Sequence, residues 1–437
     1  MLISVLLLGM LISCAQSEKS TDELAEEPKG AGEIKSSMKD TAFSADASDG
    51  ASEGEEISIE ADAEFYSEMT ADAIESVSGS DDVSPGAEMP DEKPIEAGTL
   101  TAGEWKDNDN YDFWCSLFER QEWKELSDKW RMIPDMRFAV TLTNGQNAAK
   151  NVRVEMYAGE HLLASAVSDS YGKAYLNPHL TTNNPEGDLV GADRLVIYFD
   201  GEGHEYPISP DALAAGGMSI TDAEGKKLTA LDLMFVIDTT GSMGDELEYL
   251  KKELGNVIST VSGENDGLDI SLSLNFYRDE GDEYVVRANP FDKDIEAALK
   301  LLDNEYSDGG GDYPEAVHTA LEDALNGHEW REESVRLMFL VLDAPPHGES
   351  EEVIESIRTS IVKAAEMGVR IIPVASSGVD TETEFLLRMM AGASGGTYTF
   401  LTDHSGVGES HLEPTIGDYN VKKLNDLLVK IINEYCK

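Results

Sequence analysis

The chain is poor in positive charge. Its 437 residues include 33 Lys and Arg against 86 Asp and Glu, a net charge of −53. That balance excludes nucleic acid as a partner, because phosphate backbones are held by clustered Lys and Arg. It suits cations and basic protein surfaces instead. Cysteine is scarce too, at three residues. Outside the amino-terminal run only Cys115 and Cys436 remain, so there is room for one disulfide at most. Their spacing leaves open whether they pair or stay as buried thiols. The apolar run at residues 1–14 is too short to span a bilayer as a mature helix, and no other segment is long and apolar enough to do so. Aromatic residues and any steady apolar period are sparse across 14–99, where Glu, Asp, Ser, Ala and Gly dominate. Such a stretch cannot bury enough surface to offset its ordering entropy, and it is expected to be a disordered acidic linker.

What is present divides into several parts. A hydrophobic content of 41% over this length allows more than one domain with a core. Residues 1–13 are a short apolar run of signal-peptide type. The ending Leu11-Ile12-Ser13-Cys14 resembles the cleavage box of bacterial lipoproteins. The resemblance implies cleavage before Cys14 and lipid attachment to its thiol. The protein is then expected in the cell envelope, extracytoplasmic and lipid-anchored to a bacterial membrane. The chain departs from the pattern in having no Lys or Arg ahead of the apolar run.

Residues 100–135 form an aromatic-rich helical segment. Four of the five Trp fall within 105–130, and Tyr111, Trp114, Leu117 and Phe118 keep helical spacing, as do Trp123, Leu126 and Trp130. Two short amphipathic helices packed on the following domain are expected, with Asp107, Asp109 and Asp112 as a helix-capping cluster. From 136 to 226 the pattern turns to short alternating strands separated by turns such as Asn144-Gly145 and Asp200-Gly201. A small all-β sandwich is expected. The step Ser168-Asp169-Ser170-Tyr171-Gly172-Lys173-Ala174-Tyr175-Leu176 resembles the extracellular β-sandwich repeats of carboxypeptidase regulatory-like modules, which implies a spacer or display role.

Residues 227–437 alternate strand and helix. The reading places strands at 232–238, 269–277, 284–287, 336–342, 369–375 and 397–401. Helices are expected near 247–261, 293–302, 314–325, 351–367, 381–391 and 421–435. The predicted class is α/β, a doubly wound, mostly parallel sheet flanked by helices. In such sheets ligands bind beyond the carboxyl ends of the strands. Asp238 ends one apolar strand and Asp343 another. Asp238, Thr240 and Ser242 alternate along one loop, so their oxygens can converge. Hard oxygen donors suit Mg²⁺, Mn²⁺ or Ca²⁺ rather than Zn²⁺. Between the two strands lies Asp308-Gly309-Gly310-Gly311-Asp312-Tyr313-Pro314-Glu315. Pro314 suits a first helical turn, from which Asp312 and Glu315 would reach a cation.

The run Asp238-Thr239-Thr240-Gly241-Ser242-Met243 resembles the D-x-S/T-x-S motif of von Willebrand factor type A domains, with Asp343 in the place of the family's second aspartate. The resemblance implies a metal-ion-dependent adhesion site. The family's usual intermediate threonine has no counterpart here. Asp312-Tyr313-Pro314-Glu315 is instead similar to the D-x-P-E segment of integrin β-subunit I domains, which implies Glu315 as the remaining ligand. The implied set is Asp238, Thr240, Ser242, Glu315 and Asp343 around one divalent cation, Mg²⁺ before Ca²⁺ or Mn²⁺. The same resemblance implies a second ion at Asp279 and Asp312. His347 is expected to be a hydrogen-bonded loop histidine. The expected function is binding, not catalysis: a partner protein's carboxylate would occupy the open metal position. One alternative is a phosphotransferase of haloacid-dehalogenase type with Asp238 as nucleophile, although Thr240 stands where that chemistry usually has an acid. The other is an envelope protein whose metal only stabilises the fold.

Overall fold

Leu231 to Asp238 is an almost unbroken apolar run, and each of its residues is buried. A strand with no polar face must lie inside a sheet covered on both sides. In the computed structural model, which describes residues 100–134, 136–181, 191–405 and 411–437, the strand Ala230–Asp238 sits in the middle of an eight-stranded sheet. The expected signal peptide, Cys14 and acidic linker lie outside the described residues. On one side of the central strand come Asp269–Tyr277 and the short Val286–Arg287. On the other come Ser334–Leu342, Val369–Ala375, Tyr398–Thr402, Thr101–Trp105 and Lys422–Lys423. The five inner strands run parallel and the remaining pairings are antiparallel. The sheet is therefore mixed and mostly parallel, flanked by helices, as the periodicity predicts.

Alternation along the central strand splits two cores. Leu233, Phe235 and Ile237 join the helices Gly244–Glu264 and Leu424–Cys436 on one face. Met234 and Val236 join Val317–Asn326, Glu351–Met367 and Thr381–Ser394 on the other. Phe235 stacks on Phe339 of the next strand, ring centres 4.9 Å apart.

The strand Thr101–Trp105 is not foreseen, because Thr-Ala-Gly-Glu-Trp carries one large apolar side chain and no strand pattern. It pairs antiparallel with Tyr398–Thr402. Gly103 lies so close to the Phe400 ring that a Cβ there would stand 2.3 Å from it. Residues 100–135 thus supply a strand to the later sheet as well as two helices, Tyr111–Leu117 and Gln121–Trp130. Trp114, Trp123 and Trp130 are buried in the same core as Phe385. Asp107 is not a helix cap. Its carboxylate accepts hydrogen bonds from Arg388 at 2.6 and 3.0 Å and from Trp105 at 3.0 Å. Arg388 also donates to Glu384 at 2.9 Å and lies over the rings of Trp114 and Trp123. Removing one acid from such a buried group typically costs about 3–5 kcal/mol.

The described residues within 136–220 form two four-stranded sheets around a shared apolar core. One holds Asn147–Ala148, Phe138–Asn144, Lys173–Leu176 and Gly217–Ile220. The other holds His161–Val167, Arg153–Ala158, Arg194–Phe199 and Glu202–Pro207. Cys115 and Cys436 form no disulfide. Among the described residues no helix is long and apolar enough to cross a membrane.

His179 joins these sheets to the α/β core. Its carbonyl accepts from Arg358 at 2.8 Å. Its ring is 1% exposed and neither nitrogen has a hydrogen-bond partner. Burial, with Arg358 nearby, pushes its pKa down to about 3. Above pH 6.5 the ring is neutral both folded and unfolded. As pH falls from there toward 3, the unfolded chain takes up a proton that the native state refuses, so stability is lost. Between pH 7.5 and 4.5 this one group is expected to cost about 2–3 kcal/mol. Urea unfolding of wild type and His179→Leu at both pH values checks this: the variant's loss should be smaller by that amount.

Candidate functional site

The site starts from strand register. Ile237 pairs with Val341 in parallel strands. Asp238 and Asp343 therefore emerge together at the carboxyl edge of the sheet, where the chain leaves toward neighbouring strands on both sides. Both are buried, Asp238 completely. The loop after Asp238 is held in place at each residue. Thr239 donates from its amide and hydroxyl to the Tyr277 carbonyl, at 2.9 and 3.0 Å. Its hydroxyl also meets the Tyr284 hydroxyl at 2.7 Å, and that phenol donates to Glu305. Thr240 donates from its amide and hydroxyl to Asp238 Oδ1, at 2.9 and 2.7 Å. Ser242 Oγ lies 3.4 Å from Thr240 Oγ1 and is exposed at the mouth.

The glycine loop closes over this. Gly309, Gly310 and Gly311 all take positive φ, between 80° and 89°. Gly241 donates to the Gly309 carbonyl at 3.2 Å. A Cβ on Gly310 would stand 3.0 Å from Glu315 Oε1 and 3.1 Å from Thr240 Cβ. The loop is glycine because both its φ angles and its closeness to the acids demand it.

Glu315 is not at a helix start. The helix begins at Val317, three residues after the expected position, with Ala316 as its cap. Glu315 is extended: its amide donates to the Pro345 carbonyl at 2.9 Å, and it bridges Pro346 as a short parallel pair. That pairing ties the Glu315 loop to the Asp343 loop. Glu315 is 3% exposed. A cleft of about 430 Å³ is lined by Thr240, Ser242, Asp312, Glu315 and Asp343, with Tyr313, Ser377 and Gly378 at its rim. All five residues of the expected set thus meet at this cleft or, for Asp238, directly beneath it.

The electrostatics are unfavourable without a counter-charge. Burial and then the Asp343 carboxylate push the Asp238 pKa up to about 7. Burial, then Asp238, Asp279, Asp343 and Asp282, push Glu315 up to about 9. Asp238 Oδ2 and Glu315 Oε2 are buried with no hydrogen-bond partner of normal geometry. The Tyr277 hydroxyl is close enough to Asp238 to interact, yet it also lacks a well-formed bond. Unpartnered buried carboxylate oxygens beside two hydroxyls are donors of the kind that hold a hard divalent cation. Among the described residues, no group of three or more His, Cys, Asp or Glu is arranged to hold a metal ion. A cation here would depend on the Thr240 and Ser242 hydroxyls as much as on the acids.

The expected second pair does not come together in the same way. Asp279 is buried and bonded to His347 Nε2 at 2.8 Å. Asp312 is exposed at the rim. Asp282, which sequence reasoning did not single out, stands beside Asp279 instead. Its carboxylate accepts from the amides of Asp279, at 3.1 Å, and Gly310, at 2.9 Å. Two turn glycines flank the contact, Gly281 and Gly309. Tyr277 was also missed, although its register opposite Asp238 follows once the two strands are paired.

Residues 232–410 match the family model of the von Willebrand factor type A domain, so the chain carries a domain of that family. Two curated proteins match part of the chain. "Alpha-protein kinase vwkA" of Dictyostelium discoideum is 28% identical over 123 residues, covering 27% of this chain and 19% of that protein. "Putative ariadne-like RING finger protein R811" of Acanthamoeba polyphaga mimivirus is 29% identical over 120 residues, covering 28% of this chain and 12% of its own. The chain therefore spans less than a fifth of either relative. A solved structure, the conserved hypothetical protein BatB from Bacteroides thetaiotaomicron, is 15% identical and covers 47% of this chain and 98% of its own, with a TM-score of 0.32.

The glycine loop gives a direct check on this geometry. Gly310→Ala is expected to lose about 1–3 kcal/mol in denaturant unfolding, because alanine must adopt a disfavoured φ and press on Glu315. Gly263→Ala, in open space within the helix Gly244–Glu264, should gain up to about 1 kcal/mol.

Proposed function

We propose that the von Willebrand factor type A domain binds a protein partner through a divalent cation, Mg²⁺ before Ca²⁺ or Mn²⁺, seated by Asp238, Thr240, Ser242, Glu315 and Asp343. The observation that carries this reading is the pair of buried, unpartnered oxygens, Asp238 Oδ2 and Glu315 Oε2, next to the two hydroxyls. Such a cation would supply an open coordination position for a carboxylate of the partner. The residues of the chain set the rest. Thr240 orients Asp238 through two hydrogen bonds. The Gly309–Gly311 loop keeps the mouth narrow, and the Glu315–Pro346 bridge holds the last carboxylate in reach. With Cys14 lipidated, the acidic linker would tether the folded part to a bacterial membrane.

Calorimetric titration with Mg²⁺ and Mn²⁺ tests the site. Wild type should bind one ion. Asp238→Ala and Glu315→Gln should each weaken binding at least about tenfold, and wild type that takes up neither ion would overturn the reading. Capture of partners from envelope extract separates bridging from mere stabilisation. A bridged partner is lost both with chelator and with Asp238→Ala, whereas a partner held equally in every case rules out the metal bridge.

The anchor has its own check. Labelled palmitate should be incorporated by the full chain and not by Cys14→Ser. Equal labelling of both would contradict lipidation at Cys14.

A further inference from the structure

A second cleft, of about 810 Å³, lies at the opposite edge of the sheet from the acidic cup. It is bounded by the amino ends of the strands Ser334–Leu342 and Val369–Ala375, by loops of the small β-sheets, and by the connection through residues 224–228. Its lining runs against the composition of the chain. Lys150, Lys226, Lys227, Arg336, Arg370 and Lys437 line it, with Asp169 and Glu224 as its acidic side chains, and Lys150 donates to the Lys437 backbone oxygen. In a protein of net charge −53 this lining is locally basic.

Arg370 is 6% exposed and donates to the carbonyls of Ser394 and Val167, both at 2.7 Å. Arg336 donates to the carbonyls of Met367 and Glu332 and to Asn151 Oδ1. Its Nε is buried without a partner. Among the described residues, neither arginine forms an ion pair with a carboxylate, and neither does Lys226 or Lys227. The Arg370 guanidinium is held below its ordinary pKa by burial, and that of Arg336 by burial and then by Arg370 beside it. Two desolvated guanidiniums side by side, bonded to carbonyl and amide oxygens and offset only by carboxylates beyond ion-pair distance at Asp169, Asp232 and Glu332, are costly, and an anion joining them would lower that cost. The acids of the lining are already engaged. Asp169 Oδ1 accepts from the amides of Tyr171 and Lys173, both at 2.8 Å, and Glu224 accepts from Asn144 at 3.4 Å. Asp169 partly offsets Arg370 from a distance, but neither acid forms an ion pair with the arginines or with Lys226 and Lys227.

We propose that this cleft binds a small multivalent oxyanion, a phosphate or polycarboxylate group, held by the Arg336 and Arg370 guanidiniums and completed by Lys226 and Lys227. Planar guanidiniums suit both oxyanion types. Because the lining comes from the β-sheets and the α/β core together, a bound anion would also brace the two against each other. The site is independent of the cation cup and does not rest on its assignment.

Calorimetric titration of the full chain with pyrophosphate and with citrate, in metal-free low-salt buffer, tests the proposal. Wild type, Lys226→Gln/Lys227→Gln and Asp238→Ala are compared. Lys226 and Lys227 are exposed, so the double variant should keep the wild-type melting temperature. Wild type is expected to bind at least one probe. Pyrophosphate alone would identify a phosphate site, citrate alone a carboxylate site, and both a site reading charge. The double variant should bind at least about tenfold more weakly, and Asp238→Ala should match wild type. Absence of binding by wild type, unchanged binding by the double variant, or loss of binding in Asp238→Ala would each overturn the proposal.

Discussion

The parallel pairing of Ala230–Asp238 with Ser334–Leu342 is the constraint on which the rest depends. Both strands are apolar because both faces of the sheet are covered. Each is followed at its carboxyl end by an acid that stays buried. Register therefore forces two carboxylates into one small volume with little water, where each disfavours the charge of the other. The surrounding structure follows from that conflict. A loop with three left-handed glycines comes close enough to shape the mouth, and a one-residue parallel bridge adds a third acid, Glu315, to the same place.

Elsewhere the chain treats its buried charge differently. Asp107 and Glu384 are each matched by Arg388, which is itself enclosed by two tryptophan rings. Asp232 is matched by Arg331 at 2.6 Å. Asp238 and Glu315 have no basic partner among the described residues. Glu246 is also buried without a basic partner, held by the Ser377 amide and hydroxyl, so it is the convergence of Asp238, Glu315 and Asp343 in and beneath one cleft that sets the cup apart. At the other end of the strands Arg336 and Arg370 form no ion pair among the described residues, although Asp169, Asp232 and Glu332 act on them from further off.

The α/β class was legible because alternating runs of buried strand and amphipathic helix leave few other architectures. Asp238 and Asp343 were legible for the same reason, as acids closing apolar runs. Glu315 is subtler. Its participation was suggested by resemblance, and the local rule that favours Pro at a first helical turn placed it wrongly on a helix. Its real position depends on a backbone bond to Pro345, some thirty residues away, which no local pattern reports. The strand Thr101–Trp105 was hidden because its pairing partner lies about three hundred residues distant and its own side chains carry no alternation. Asp282 was invisible for a related reason, since its role is to receive the Gly310 amide from another loop.

The central claim is that the carboxyl-edge cup seats one divalent cation between the Asp238 loop and Glu315. Anomalous diffraction from crystals soaked in Mn²⁺ tests it most directly. The account predicts one strong peak within coordination distance of Asp238, Ser242 and Glu315, at roughly 2.0–2.4 Å from their oxygens. A structure with no peak at the cup, or with Mn²⁺ only at Asp279 and His347, would contradict it.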